Sequence, residues 1–358
     1  MIMVIPAFRA ATVRERSPYC IPAIILTMFV VNSLPVAIFF CVITMLGWGS
    51  WANTQKLAGK EKWPFQLFYW DYAIGVFLFS ILFAATFGSF GTAGAGALEN
   101  FRGARGGFIQ PAVISGFIFN LSNILLVVGI DSAGMSVAFP VGVGLALVIG
   151  TVESFVETPK GDPGLLFTGV ALIVFAMIMS ALAHKRLPAG GKRKPLRGVI
   201  YSAIAGALMG FFYPQLMRSI SPNFNSVPIV PGMLTPYMGL LFFGAGVLGS
   251  NVLWNSVFMR AANLRYAEYF RGSPRLHAIG ILGGAIWMLA LSFNVIASGV
   301  AGPAVSYALG QGATLVAAIW GLFIWREFRT APAGTNKYLA LMLAGYTIGL
   351  VLIGAATQ

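Results

Sequence analysis

GIDSAGMSVAFPVGVGLALV, residues 129 to 148, returns 168 positions later as ASGVAGPAVSYALGQGATLV, residues 297 to 316, without a gap. Seven pairs are identical: Ala133/Ala301, Gly134/Gly302, Val137/Val305, Gly142/Gly310, Gly144/Gly312, Leu147/Leu315 and Val148/Val316. The two halves of the chain read as copies. In an apolar chain a duplication bears on mechanism, because many carriers are built from two repeats with the substrate site between them.

The chain is apolar throughout. Of its 358 residues 58% are hydrophobic and 9% charged, with a mean hydropathy of +0.83, which excludes an ordinary soluble protein. The net charge of +13 does not point to nucleic acid, since Lys and Arg sit in short connectors rather than on one solvated face. Cys20 and Cys41 lie in apolar context and offer neither a disulfide framework nor metal spacing. With three Asp, seven Glu and two isolated His, the chain lacks the clustered groups of an enzyme, and no cofactor or metal is expected.

A membrane span takes about 20 apolar residues, and ten such segments follow in a regular rhythm. They fall near 34–53, 68–90, 108–130, 133–153, 164–184, 197–217, 233–257, 277–299, 302–325 and 337–356. Pro- and Gly-containing punctuation marks most of the boundaries. The expected fold is an all-α membrane protein of ten transmembrane helices in two five-helix repeats, residues 34–184 and 197–358, joined by a basic linker at 185–196. Residues 1–33 read as an N-terminal extension or a short extra anchor, with Met28 an alternative start. Of the 23 Lys and Arg, 16 lie in or beside the connectors after segments one, three, five, seven and nine. Cytoplasmic loops are enriched in positive charge, so these connectors are expected inside. Five helices per half then make the repeats inverted. The expected location is the cell membrane, inner or plasma, with multiple passes.

Small residues at helical spacing, Gly142/Ala146/Gly150, Gly206/Gly210, Gly280/Gly284 and Gly345/Gly349, suit close helix packing. Gly142 and Gly144 follow Pro140, which removes a backbone donor, so an interrupted helix lining a central cavity is expected there, with Gly310 and Gln311 as counterparts. Buried polar side chains are the sharper signal. Candidates for solute binding are Trp48, Trp51, Asn53, Asn120, Asn123, Gly142, Gly144, Asn251, Trp254, Asn255, Trp287, Tyr307 and Gln311, with Asn294 beside them. Amides next to flat aromatic walls suit a small neutral solute, planar or hydroxyl-rich; helix-to-helix hydrogen bonds and interfacial aromatic belts are the structural alternative. Trp63 and Trp325 read as belt residues, and Glu327 as a solvated pair with Arg326 and Arg329. Asp71, opening the second segment, is the candidate proton-coupling group, or else a carboxylate favoured at a helix N-terminus.

The stretches MLGWGSW (45–51), FYWDYAIG (68–75), SPNFN (221–225) and WGLFIWREFR (320–329) resemble, in that order, motifs of the drug/metabolite transporter superfamily, and of its ureide permease branch most. GMSVAFPVGVGLALVIGT is also similar to a stretch of rhamnose:proton and glucose/ribose transporters of that superfamily. The chain departs from plant ureide permeases in lacking their long central loop and in its N-terminal extension, which bears on substrate more than on fold. The resemblance implies a ten-helix secondary carrier importing a small solute by proton symport. The matching positions are Trp48, Tyr69, Asp71, Tyr72, Trp320 and Glu327, Asp71 alone being a coupling candidate. A ureide or nucleobase-like solute is expected, with a monosaccharide:proton symporter or an exporter as alternatives. The expected partners are the solute, protons and the bilayer, with no nucleic acid; a homodimer is compatible.

Overall fold

A computed structural model describes residues 27–133, 135–187, 195–222, 224–225 and 228–357. The expectations for residues 1–26 and for most of the basic linker lie outside them.

Prolines and small hydroxyl or acidic residues start the helices. Proline at the first position forfeits no hydrogen bond, because that N–H has no partner in the helix. Just before it, a side-chain oxygen satisfies the next free donor. Asp162 accepts from the Leu165 amide at 2.7 Å, Ser273 from Leu276 at 3.3 Å and Thr235 from Met238 at 3.4 Å. The helices are α1 Leu34–Ser50, α2 Ala52–Lys60, α3 Phe65–Ala85, α4 Ala97–Gly103, α5 Gly106–Ala133, α6 Met135–Glu157, α7 Pro163–Lys185, α8 Pro195–Met217, α9 Pro236–Ala261, α10 Tyr266–Phe270, α11 Pro274–Ala301, α12 Pro303–Gly310, α13 Ala313–Ile319 and α14 Thr335–Ala355; a π-helical turn, Trp320–Ile324, follows α13. Among the described residues, β-pairing is confined to isolated bridges, Thr27 with Phe90, Met28 with Ala93 and Ile220 with Leu234.

Among the described residues nine helical stretches are long and apolar enough to span a membrane, α1 with α2 and α12 through the π turn each forming one. Helix α6, where the fourth segment was expected, is 23 residues long. It runs on past Pro140, and the break falls in the ninth segment instead: α12 stops at Gly310 and α13 starts at Ala313. Gly302, at φ 86°, turns the chain from α11 into α12, a conformation open to glycine at little cost.

Most of the packing is between the halves. α5 lies on α8 and α9, α6 on α8 and α12, α3 on α9 and α11, α1 on α11 to α13, and α7 on α14. Lipid is as apolar as leucine, so such contacts depend on close backbone approach. A Cβ on Gly284 would collide with the Tyr72 carbonyl, and one on Gly75 with that of Ile281, which brings α3 and α11 together. Gly206 meets the backbone of Gly142 in the same way, joining α6 to α8.

Replacing Gly284 by Ala is therefore expected to cost about 1–3 kcal/mol, the usual range for overpacking. Gly249, whose Cβ position is open, is the control. Thermal unfolding of the two purified variants in detergent should show a lowered midpoint for Gly284→Ala and little change for Gly249→Ala.

Candidate functional site

Five rings from five helices meet where the halves face each other. Trp287 of α11 stacks on Phe119 of α5 at 4.2 Å, Phe243 of α9 at 5.9 Å and Trp48 of α1 at 6.0 Å; Phe212 of α8 lies 6.4 Å away. Seven residues past Trp287, on the same face of α11, fully buried Asn294 donates its amide nitrogen to the Ser306 carbonyl at 2.7 Å. Gly310 is enclosed by Asn294, Trp48 and Thr44, so that any Cβ there would touch all three. Tyr307 donates to the Ala146 carbonyl at 3.3 Å and packs on Tyr213 at 4.9 Å. Buried Gln311 stands at the helix break.

A second group adjoins the first through α5. Asn120, next to Phe119, donates to Ser250 Oγ at 2.9 Å, and Asn123, a turn further, to Tyr69 OH at 3.2 Å. Tyr69 stacks on Tyr72 at 5.1 Å, and Tyr72 packs against Trp51 at 4.9 Å. Asn255 of α9 donates to the Gln66 carbonyl at 2.8 Å. Among the described residues several buried polar atoms have no partner: Trp48 Nε1, Tyr72 OH, the side-chain oxygens of Asn120, Asn255 and Asn294, and both polar atoms of Asn251. An unpaired buried polar group costs about 1–3 kcal/mol, which chain packing alone does not recover. These atoms are suited to a polar ligand.

The structure thus brings together Trp48, Trp51, Asn120, Asn123, Trp287, Tyr307 and Gln311, with Asn251 and Asn255 on the adjoining face of α9. Other expected residues are placed elsewhere. α1 gives way to α2 at Trp51, which turns Asn53 toward Trp325; its side-chain oxygen accepts from Trp325 Nε1 at 2.7 Å. Trp254 lies on Phe117, a half-exposed ring, at 5.1 Å. Gly142 faces Leu126 and Ser202, and Gly144 faces Met177. Both are helix-packing positions, because the backbones of α6 and α8 meet at Gly142.

Asp71 is clamped from the second half. Its carboxylate accepts from Tyr269 OH at 2.7 Å, and His277 Nδ1 lies 2.9 Å from each oxygen. The side chain of Asp71 is 1% exposed, that of His277 24%. The α3–α11 contact sets the geometry, since Gly280 admits the Asp71 Cβ and His277 stands one turn before Gly280. Sequence reading passed over His277 and Tyr269. The signal was present: His277, Gly280 and Gly284 share one face of a helix that must pack closely.

Trp63 and Trp325 do more than line an interface. The Trp63 ring is edge-on to His277 at 5.8 Å. Trp325 lies under the ammonium groups of Lys56, at 4.2 Å, and Lys60, at 4.6 Å. Glu327 pairs across the chain rather than with its neighbouring arginines, with Lys56 Nζ at 2.6 Å and His184 Nε2 at 3.9 Å. His184 first and then Lys56 hold its carboxyl down to about 2, against the opposing effect of burial. Trp320 Nε1 completes this seam with a 2.9 Å bond to Ser50 Oγ.

These features define a helical multi-pass membrane protein with an aromatic and amide-lined site between its halves. The chain is similar to Ureide permease 1 of Arabidopsis thaliana, 18% identical over 92% of this chain and 99% of the permease. It is likewise similar to Ureide permease 5 of that plant, 21% identical over 92% and 96%. No protein-family model matches. A crystal structure with 15% identity superposes with a TM-score of 0.53 over 89% of this chain and 99% of the other, a likeness of fold. Along most of its length the chain thus resembles permeases, which are transporters rather than enzymes.

A carboxyl held below its ordinary value stabilises the fold above that value, and the contribution disappears as pH falls through the folded-state value. Glu327→Gln should therefore lower stability at pH 7 by about 0.5–1 kcal/mol, the range for a partly exposed pair. Thermal midpoints of the wild type and the variant should converge as pH drops from the ordinary carboxylate value of 4.5 toward about 2.

Proposed function

We propose that the protein is a secondary active transporter of the drug/metabolite transporter superfamily that imports a small neutral ureide or nucleobase-like solute with a proton. The observation that carries this reading is the Trp48–Trp287–Phe119 stack with unpartnered amide oxygens on Asn294, which meets Trp48 around Gly310, and on Asn120, next to Phe119 in α5. A flat urea-containing ring stacks on the indoles while the amides read its N–H and C=O edge. The similar Arabidopsis thaliana proteins are ureide permeases, which favours the same solute class.

In this proposal ten spans form two inverted repeats that rock about the aromatic site. Exchanging the halves segment for segment carries the packing onto itself, which supports a two-fold relation. α5 on α8 becomes α11 on α1, α6 on α8 becomes the α12–α13 segment on α1, and α3 on α11 becomes α9 on α5, while α7 on α14 and α6 on α12 map to themselves. α11 carries His277 in its first turn and Ser298 near its last. A cavity of about 380 Å³ at the Ser298 end, bordered by Glu157, Lys160, Arg218 and Phe224, is the entry from the outer side. The Lys and Arg excess puts the His277 end in the cytoplasm.

Competition uptake in reconstituted vesicles, with allantoin and uracil set against rhamnose and glucose, is expected to select the first pair, and Trp287→Ala or Asn294→Ala should suppress that uptake. Selection of the sugars would replace the solute class with a monosaccharide, and uptake of neither would favour an exporter. Asp71→Asn is expected to abolish pH-driven accumulation while leaving exchange measurable. A cysteine in the 185–196 linker should react with impermeant reagents only from the cytoplasmic side.

A further inference from the structure

We infer that the proton is carried by a two-residue unit, His277 together with Asp71, and that Tyr269 is the positioning residue that sets its exchange with cytoplasmic water; this rests on the symport reading above. Two side chains, Tyr269 of α10 and His277 of α11, converge on the Asp71 carboxylate of α3, and both come from the opposite half of the chain. An ionised carboxylate only accepts hydrogen bonds. Tyr269 therefore donates through its hydroxyl and His277 through Nδ1–H, which leaves Nε2 as the basic atom of the imidazole.

That atom is where the unit meets its surroundings. Nε2 lies against Gly272, in the turn between α10 and α11, where a Cβ would stand 2.6 Å from it. The imidazole is 24% exposed while the carboxylate behind it is 1% exposed, so water reaches Asp71 by way of His277. The other ionisable groups on the packed elements are Lys56 and Lys60 of α2, Glu61 and Lys62 of the first connector, Tyr69 and Tyr72 of α3, Arg260 of α9, Arg265, Tyr266, Glu268 and Arg271 at α10, and Arg275 of α11. Arg275 is engaged by Glu61 at 3.6 Å. Among the described residues none of these pairs with Asp71 or His277 in an ion pair or hydrogen bond.

Binding of one proton at Nε2 converts a unit of net charge −1 into a neutral imidazolium–carboxylate pair. A buried uncompensated charge is expensive, and a paired one much less so. The protonated unit is the form that accompanies the solute through the occluded state. Release returns the proton from Nε2 to water on the cytoplasmic side, and no other bond changes. Asp71 alone would have to exchange its proton from a carboxylate that is 1% exposed and lies behind the imidazole.

The test uses the full-length protein in vesicles at about pH 6 outside and about pH 7.5 inside, an inward proton gradient across the interval in which histidine side chains in general change charge. The probe is radiolabelled allantoin, or labelled glucose if the competition experiment selects sugars. His277→Gln should lower gradient-driven accumulation to the level reached without a gradient, while solute counterflow, which needs no net proton movement, persists. Tyr269→Phe should keep accumulation but shift the midpoint of its external pH profile. A wild type that ignores the gradient would overturn the symport reading itself. A gradient-responsive wild type with unchanged accumulation and pH profile in His277→Gln would overturn this inference alone. Should His277→Gln also lose counterflow, an unshifted midpoint in Tyr269→Phe would overturn it.

Discussion

Hydrocarbon supplies no hydrogen bonds, so each polar group carried into the membrane must find its partner inside the protein. The fold is arranged around that constraint. Helices satisfy their own backbones, and the glycines of α3, α6, α8 and α11 bring those backbones close enough for side chains to bond across the halves. Asn120 reaches Ser250 Oγ, Asn255 reaches the Gln66 carbonyl, and Thr44 reaches the Ala290 carbonyl at 2.9 Å. Each such bond contributes modestly, about 0.6 kcal/mol on average in a membrane. Their value is positional: they fix which residues face the central stack.

Against this background the exceptions acquire meaning. Among the described residues some buried polar atoms lack partners: Trp48 Nε1 and the side-chain oxygens of Asn120 and Asn294 at the stack, and others elsewhere, such as those of Thr151, Ser202 and Asn225. The two ends of the molecule differ too. One end closes with Asp71 held by His277 and Tyr269, and with Glu327 between Lys56 and His184. At the other end Glu157 pairs with Arg218 at the rim of a cavity. All three clusters join residues of one half to residues of the other, so relative movement of the halves must break or remake them.

Much of the helical order was legible in advance. Segment boundaries followed from proline, glycine and small capping residues, whose effects are local, and the closely packed glycine pairs followed from helical spacing. The position of the helix break was not legible. Pro140 suggested the fourth segment, yet the chain breaks at Gln311 and Gly312, where Gly310 sits against Trp48 and Asn294. A proline acts on its own turn, whereas that break depends on what presses against the helix from the other half. Asn53 and Trp254 had the right chemistry, but the bend at Trp51 and the face of α9 that meets Phe117 direct them elsewhere.

The sequence by itself determined that this is an apolar, multi-segment membrane chain in which the stretch 129–148 recurs in part at 297–316, because hydropathy, punctuation and charge placement act over a few residues at a time. It also marked Asp71 and the tryptophan–asparagine set as the chemically informative residues. Only the tertiary structure decided which of them meet. His277 lies 206 positions from Asp71 and Glu327 lies 271 from Lys56, and no local rule spans such distances. Which side chains become neighbours depends on the register in which α3 packs on α11 and α1 on α13, and that register is set by the close contact of glycine backbones.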